Sequence, residues 1–193
     1  MTDPRSRSAD EVRALVQRIV DQTLESDASP ARTTDGRTVV AIAGDHGGWR
    51  LKDAIGQWLE ANGYVVRDCG TDSDDAVDYP DLAHAVAGMV ADKSACCGII
   101  VDGAGIGSAM AANKVPGVRA ANCHDISSAR NSREHNYANV LTLGSGFLGQ
   151  PLALQIVEIW LHTEWGAERH GRRVEKISAI ERSYTGEPGG KDT

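Results

Sequence analysis

The sequence predicts an α/β protein built on a five-stranded, doubly wound parallel sheet. Three observations carry this. Between residues 38 and 183, short apolar runs alternate with segments of helical periodicity. The apolar runs are continuous, as strands are when helices cover both of their faces. Each run is followed by a helical segment, and that order closes through right-handed crossovers into a parallel sheet. Ligands of such folds bind beyond the carboxyl ends of the strands. Chemistry is therefore expected in the turns that leave the strands.

Composition narrows the function. The chain has 193 residues, with 20 Lys and Arg against 27 Asp and Glu, a net charge of −7. That balance argues against a nucleic-acid binder, which needs a basic footprint. Aromatic residues make up 5%, too few for base-stacking platforms. No segment approaches the ~18 apolar residues of a membrane span. Cys69, Cys96, Cys97 and Cys123 match neither a disulfide framework nor a zinc spacing. They read as small buried hydrophobes of a reducing cytosol, so a cytoplasmic location is expected.

Residues 1–24 contain a helical stripe of Val12, Leu15, Val16, Ile19, Val20 and Leu24. Ser8 and Glu11 have the spacing of a capping box. A helix of this length is marginal alone in water, so its stripe needs the core, another subunit or a separate partner. A membrane surface is disfavoured, because the stripe lacks Trp and Phe and its polar face is not strongly basic. Residues 25–37, with Pro30 and Gly36, have the composition of a flexible linker. The folded domain is expected over 38–183 and a polar tail over 184–193.

Strand 39–43 leads into Gly44-Asp45-His46-Gly47-Gly48 and a helix at about 48–62. An Asp-His pair in a glycine-rich turn at a helix N-terminus suits an anion; alternatively, Asp45 is a cap. Strand 64–68 leads through Asp78-Tyr79-Pro80 to helix 80–92. Strand 98–101 runs into Asp102-Gly103-Ala104-Gly105-Ile106-Gly107-Ser108 and a small-residue helix over 106–114. Glycines there let backbone N–H groups approach a ligand. The spacing is not the dinucleotide fingerprint, and the Lys-Ser/Thr of a P-loop is missing. Asp102 is either a helix cap or a functional carboxylate. Strand 118–122 precedes helix 126–135, which closes on Arg133-Glu134-His135-Asn136. An imidazole at a helix C-terminus either gains from the dipole as a cation or does chemistry. Strand 140–143 and helix 150–163 complete the set. Arg169-His170-Gly171-Arg172-Arg173 is the one dense basic cluster, a phosphate clamp or a solvated face.

Taken together, the turn at 44–48, Asp78-Tyr79-Pro80, the loop at 103–107, Ala111-Ala112-Asn113-Lys114, Arg133-Glu134-His135-Asn136 and Arg169–Arg173 resemble the ribose-5-phosphate isomerase B family. That family also contains the galactose-6-phosphate isomerase subunits. The resemblance implies a Rossmann-like three-layer α/β/α sandwich. It implies a homodimer or dimer of dimers with shared active sites, and neither metal nor cofactor. The implied reaction is aldose–ketose isomerisation of a phosphosugar, by ring opening and proton transfer through a cis-enediolate. The expected pair is ribose 5-phosphate and ribulose 5-phosphate. An erythrulose phosphate isomerase and a non-catalytic phosphosugar-binding relative are the alternatives.

Carried onto this chain, the resemblance makes His135 the ring-opening group and Asp45 a sugar-hydroxyl contact. Gly103, Ala104, Gly105 and Gly107 form the anion hole. His46, Arg169 and Arg173 contact phosphate, and Tyr79 and Asn136 line the pocket. Three positions depart from the family pattern. Many members have Cys at position 102 as the proton-transfer base, and a second subgroup has Glu at position 108. This chain has Asp102 and Ser108, so Asp102 is expected to be the base. Ala104 stands where a hydroxyl residue is common. Gly146 stands where an arginine often helps bind phosphate. The segment over 8–24, followed by a polar linker, resembles encapsulation peptides. It implies a shell-protein partner and a place inside a bacterial microcompartment.

Overall fold

A computed structural model describes residues 31–186. The amphipathic segment expected over 1–24, and the end of the tail at 187–193, lie outside the described residues. Five strands and six helices follow one another: β1 (Val39–Gly44), α1 (Trp49–Ala61), β2 (Val65–Asp68), α2 (Tyr79–Ala91), β3 (Cys97–Asp102), α3 (Ile106–Ala112), β4 (Ala120–Asn122), α4 (Ile126–Asn136), β5 (Val140–Gly144), α5 (Gln150–His162) and α6 (Glu168–Thr185). All strand pairs are parallel, in the order β2-β1-β3-β5-β4. The Rossmann-like expectation holds. The chain steps to opposite sides of β1, so the switch point lies between the carboxyl ends of β1 and β3.

Side-chain alternation divides the core into two layers. Val40, Ile42, Ile99, Val101, Leu141 and Leu143 face α1, α4 and α5. Val39, Ala41, Ala43, Ile100 and Val140 face α2 and α3. The three central strands are buried on both faces, whereas the edge strands β2 and β4 are only partly covered. Trp160 of α5 is fully buried, and its indole N–H donates to Ser132 Oγ at 3.1 Å. Lys52 of α1 is buried too. Its ammonium reaches Asp68 at 2.5 Å and Asp53 at 3.2 Å, the pairing a buried charge requires. The four cysteines are free thiols.

The structure corrects the boundaries in four places. Strand β4 begins at Ala120 rather than 118, and α3 ends at Ala112 rather than 114. The last residues of the stretch read as a flexible linker form a hydrogen-bonded turn before β1. Thr33 N donates to Arg37 O and Gly36 N to Thr33 O, and Ala31 packs on the core. The helix α6 was not expected at all. It packs on α4 through one side, and Val174 is its buried apolar residue while Ile177, Ile180 and Tyr184 stay exposed. Its charged sequence concealed that spacing. The helix runs to Thr185, past the expected start of the tail, and stops at Gly186 in the left-handed conformation.

Candidate active site

At the carboxyl end of β1, Asp45 turns the chain into α1. Its Oδ1 accepts from Gly47 N and Gly48 N, both at 2.9 Å, and the side chain is 9% exposed. Gly48 is required here, because a Cβ would lie 2.1 Å from Val101 O. His46 and Gly47 face solvent.

At the carboxyl end of β3, the Asp102 carboxylate is 5% exposed and is turned into its own loop. Oδ1 accepts from Ala104 N at 2.7 Å and from Gly105 N. Oδ2 accepts from Ser108 N at 3.2 Å and from Ser108 Oγ. Gly105 takes φ +75° to start α3, a conformation glycine adopts without strain. The N–H groups of Gly103, Ile106 and Gly107 have no partner among the described residues. The Tyr79 ring lies over Gly107, whose Cβ would meet it at 2.5 Å. These unpaired donors beside Asp45 and Tyr79 make the switch point a place for an oxyanion.

Four residues that sequence reasoning missed hold this end together. Asn122 Nδ2 donates to Ala104 O at 3.2 Å, and His124 Nε2 lies 3.3 Å from the same oxygen. Thr142 Oγ1 donates to Gly105 O at 2.7 Å. Ser145 Oγ lies 2.8 Å from Gly47 O and 3.1 Å from Asp102 O, joining the two turns. Ser145 directly follows β5 and His124 stands two residues past β4, which is the signal that could have found them. Gly146 N donates to Gly103 O at 3.0 Å. A Cβ on Gly146 would come 2.9 Å from that oxygen, so the crossing of these turns is built for glycine.

The other expected site residues gather elsewhere. His135 and Asn136 end α4. Asn131 Nδ2, one turn earlier on the same helix, donates to His135 Nδ1 at 2.8 Å. The His135 ring stacks on His170 with centroids 4.2 Å apart. Arg169 Nε donates to His170 Nε2 at 3.1 Å, and Arg169 and Arg173 are exposed. Tyr137, in the left-handed conformation, donates to Gly166 O at 2.8 Å and stacks on Trp165. Gly166 N donates to Glu134 O at 2.8 Å. These contacts lock the start of α6 onto the end of α4. Burial depresses the His170 pKa, and the neighbouring His135, Arg169 and Arg173 depress it further.

Helices that connect parallel strands run back against them, so α4 ends at the amino end of the sheet. Strand β5 starts at Val140, four residues after Asn136, and reaches Asp102 only at Gly144. Four residues of strand span about 13 Å. One chain therefore brings Asp45, His46, Tyr79 and the loop over 103–108 together at one end. It brings His135, Asn136, Arg169 and Arg173 together at the other.

The sequence profile described as Ribose/Galactose Isomerase matches residues 40–177. The chain belongs to that family. It is a sugar-phosphate isomerase, an intramolecular oxidoreductase. It is 44% identical to ribose-5-phosphate isomerase B of Escherichia coli over 142 residues, 74% of this chain and 95% of the other. It is 38% identical to D-erythrulose-4-phosphate isomerase of Pectobacterium atrosepticum over 143 residues, 74% of this chain and 94% of the other. The solved ribose-5-phosphate isomerase B of Clostridium thermocellum superposes with a TM-score of 0.75 at 47% identity, covering 76% of this chain and 99% of that one. Among the described residues, no helix is long and apolar enough to cross a membrane.

His170 carries a pH prediction. Its folded pKa lies below its unfolded value, so both states are neutral well above the unfolded pKa of about 6.5. As pH falls through that value, the unfolded chain gains a proton that the folded chain resists, and stability is lost. Thermal unfolding at pH 7 and pH 5 should show a smaller acid loss in His170→Asn than in the parent. An equal loss would detach the effect from His170.

Proposed function

We propose that the protein interconverts an aldose phosphate and its ketose phosphate, with ribose 5-phosphate and ribulose 5-phosphate as the pair, at sites shared by two copies of the chain. The observation that carries this is the loop over 103–108 at the switch point. It offers unpaired N–H groups of Gly103, Ile106 and Gly107 beside Asp45. An enediolate needs such donors where its charge develops.

The division of the expected residues between the two ends supports sharing. One end holds an oxyanion cradle without a phosphate clamp. The other holds His135, whose Nε2 lies 3.6 Å from Glu134 Oε1, and Arg169 and Arg173 as forks for phosphate. A second copy would bring one end against the other. Along β4, a groove of about 610 Å³ is lined by Lys114, Val118, Ala120, Ile177, Ile180 and Tyr184. It offers apolar surface for a symmetric contact. In this reading His135 opens the sugar ring, His46 and the arginines hold the phosphate, and Tyr79 and Asn136 line the sugar.

The substrate of four carbons remains the second reading, favoured by one observation. Gly146 leaves no arginine at the crossing of the turns, and a relative at 38% identity is named for erythrulose 4-phosphate. The segment over 8–24 is read as an encapsulation peptide that carries the enzyme into a microcompartment, which its capping box and single stripe support.

Purified protein assayed on four-, five- and six-carbon phosphosugars should turn over ribose 5-phosphate fastest. Arg173→Ala should raise KM about tenfold or more with a smaller change in kcat. Turnover of none of the panel would leave a binding protein. Mixing inactive His135→Ala with inactive Asp45→Asn should restore about a quarter of parental activity, since half of the mixed dimers are hybrids with one intact site of two. No recovery after subunit exchange would place each site within one chain. Deletion of residues 1–30 should keep turnover and abolish co-purification with shell particles; retention in the shells would overturn the targeting role.

A further inference from the structure

The isomerisation needs a base beside C2, and two carboxylates stand at the switch point. An ionised carboxylate has about four lone-pair sites. At Asp102 all four are occupied, by Ala104 N, Gly105 N, Ser108 N and Ser108 Oγ. All of these donors lie within six residues of Asp102, in the loop after β3 and the first turn of α3. Asp102 and Ser108 thus close the loop on itself, with the carboxylate taking the place an external anion would occupy in it. At Asp45, only Oδ1 is engaged, by Gly47 N and Gly48 N. Its Oδ2 has no partner among the described residues. The turn that carries it is tied to the Asp102 loop through Ser145 Oγ. The amide of Gly103, free among the described residues, lies 4.0 Å from where a Cβ on Gly47 would be.

We infer that the two carboxylates have separate duties: the Asp102–Ser108 clamp positions the oxyanion loop, and Asp45 Oδ2 is the proton-transfer base. This rests on the isomerase reading above. In the step, Asp45 Oδ2 takes the proton from C2 of the open-chain aldose. The C–H pair becomes the C1–C2 double bond, and the carbonyl pair moves onto O1, facing the free N–H groups of Gly103, Ile106 and Gly107. The carboxylic acid then returns the proton to C1 while the O2 hydroxyl proton passes to O1. That gives the ketose with no net gain or loss. The clamp also explains how the loop keeps its shape without the hydroxyl residue that Ala104 replaces. Asp102 holds the amides of 104 and 105 inward, so those of 103, 106 and 107 stay outward.

The test uses the full chain and ribose 5-phosphate in heavy water, with three readouts: kcat and KM across pH, solvent exchange at C2, and hydrogen exchange of the loop amides. Asp45→Asn should lower kcat about a thousandfold, move KM less than about threefold, abolish C2 exchange and leave loop-amide protection unchanged. Ser108→Ala and Asp102→Asn should speed amide exchange at Ala104 and Gly105. They should raise KM and lower kcat together by about tenfold, and keep the acid limb of the pH profile in place. Ser108→Ala keeps the carboxylate and tests the clamp even if Asp102→Asn fails to fold. Loss of C2 exchange in Asp102→Asn with loop protection intact, or its survival in Asp45→Asn, would overturn the assignment. Unchanged amide exchange in Ser108→Ala would overturn the clamp. If the parent turns over no phosphosugar, the isomerase reading and the role of Asp45 fall together, and the amide exchange still judges the clamp.

Discussion

A sheet whose strands all run one way has two chemically unlike ends, and the rest of this molecule is organised by that polarity. Strands deliver Asp45, Asp102, His124 and Ser145 to one end. Helices running back deliver His135 and Asn136 to the other. Both faces between these ends are closed by apolar layers. Burial of a charge there is tolerated only with partners, as for Lys52 between Asp53 and Asp68. Reactive groups are thereby confined to the two rims. The distance between them is set by strand length rather than by side-chain choice.

Much of this was legible in the sequence, because the informative signals are local. Continuous Val-, Ile- and Leu-rich runs mark strands buried on both sides, and each strand and helix expected over 38–183 is present within a few residues. Glycine spacing located both turns at the switch point. What stayed hidden is what depends on orientation. The amphipathic pattern of α6 was masked by its charges, and only Val174 of its apolar positions is buried with the core. Nothing in the order of motifs shows that Asp45 and His135 lie at opposite ends, since that follows from the return direction of α4. The inward turn of Asp102 was equally hidden, although the sequence admitted a capping role for it.

The two ends are also stabilised differently. The switch-point end is a mesh of main-chain hydrogen bonds between turns. Ser145, Asn122 and Thr142 each clamp a carbonyl of a neighbouring loop. Such a mesh holds N–H directions fixed before any charge arrives, which is what electrostatic preorganisation demands. The other end is held by flat groups: Tyr137 on Trp165, His135 on His170, and the Arg133 guanidinium over Trp160. The planar stacks fix the tilt of each ring, and Asn131, Glu134 and Arg169 engage the imidazole edges.

The basic cluster has a kinetic consequence. The chain carries a net charge of −7, yet Arg169, Arg172 and Arg173 stand exposed on one turn of α6. An approaching dianion is repelled by the net charge of the chain and attracted near that turn. Salt shortens the range of both effects to about 8 Å at physiological ionic strength. The field then acts as a final aiming step rather than as long-range attraction. Raising the salt concentration removes the repulsion and the aim together, and capture becomes a matter of collision alone.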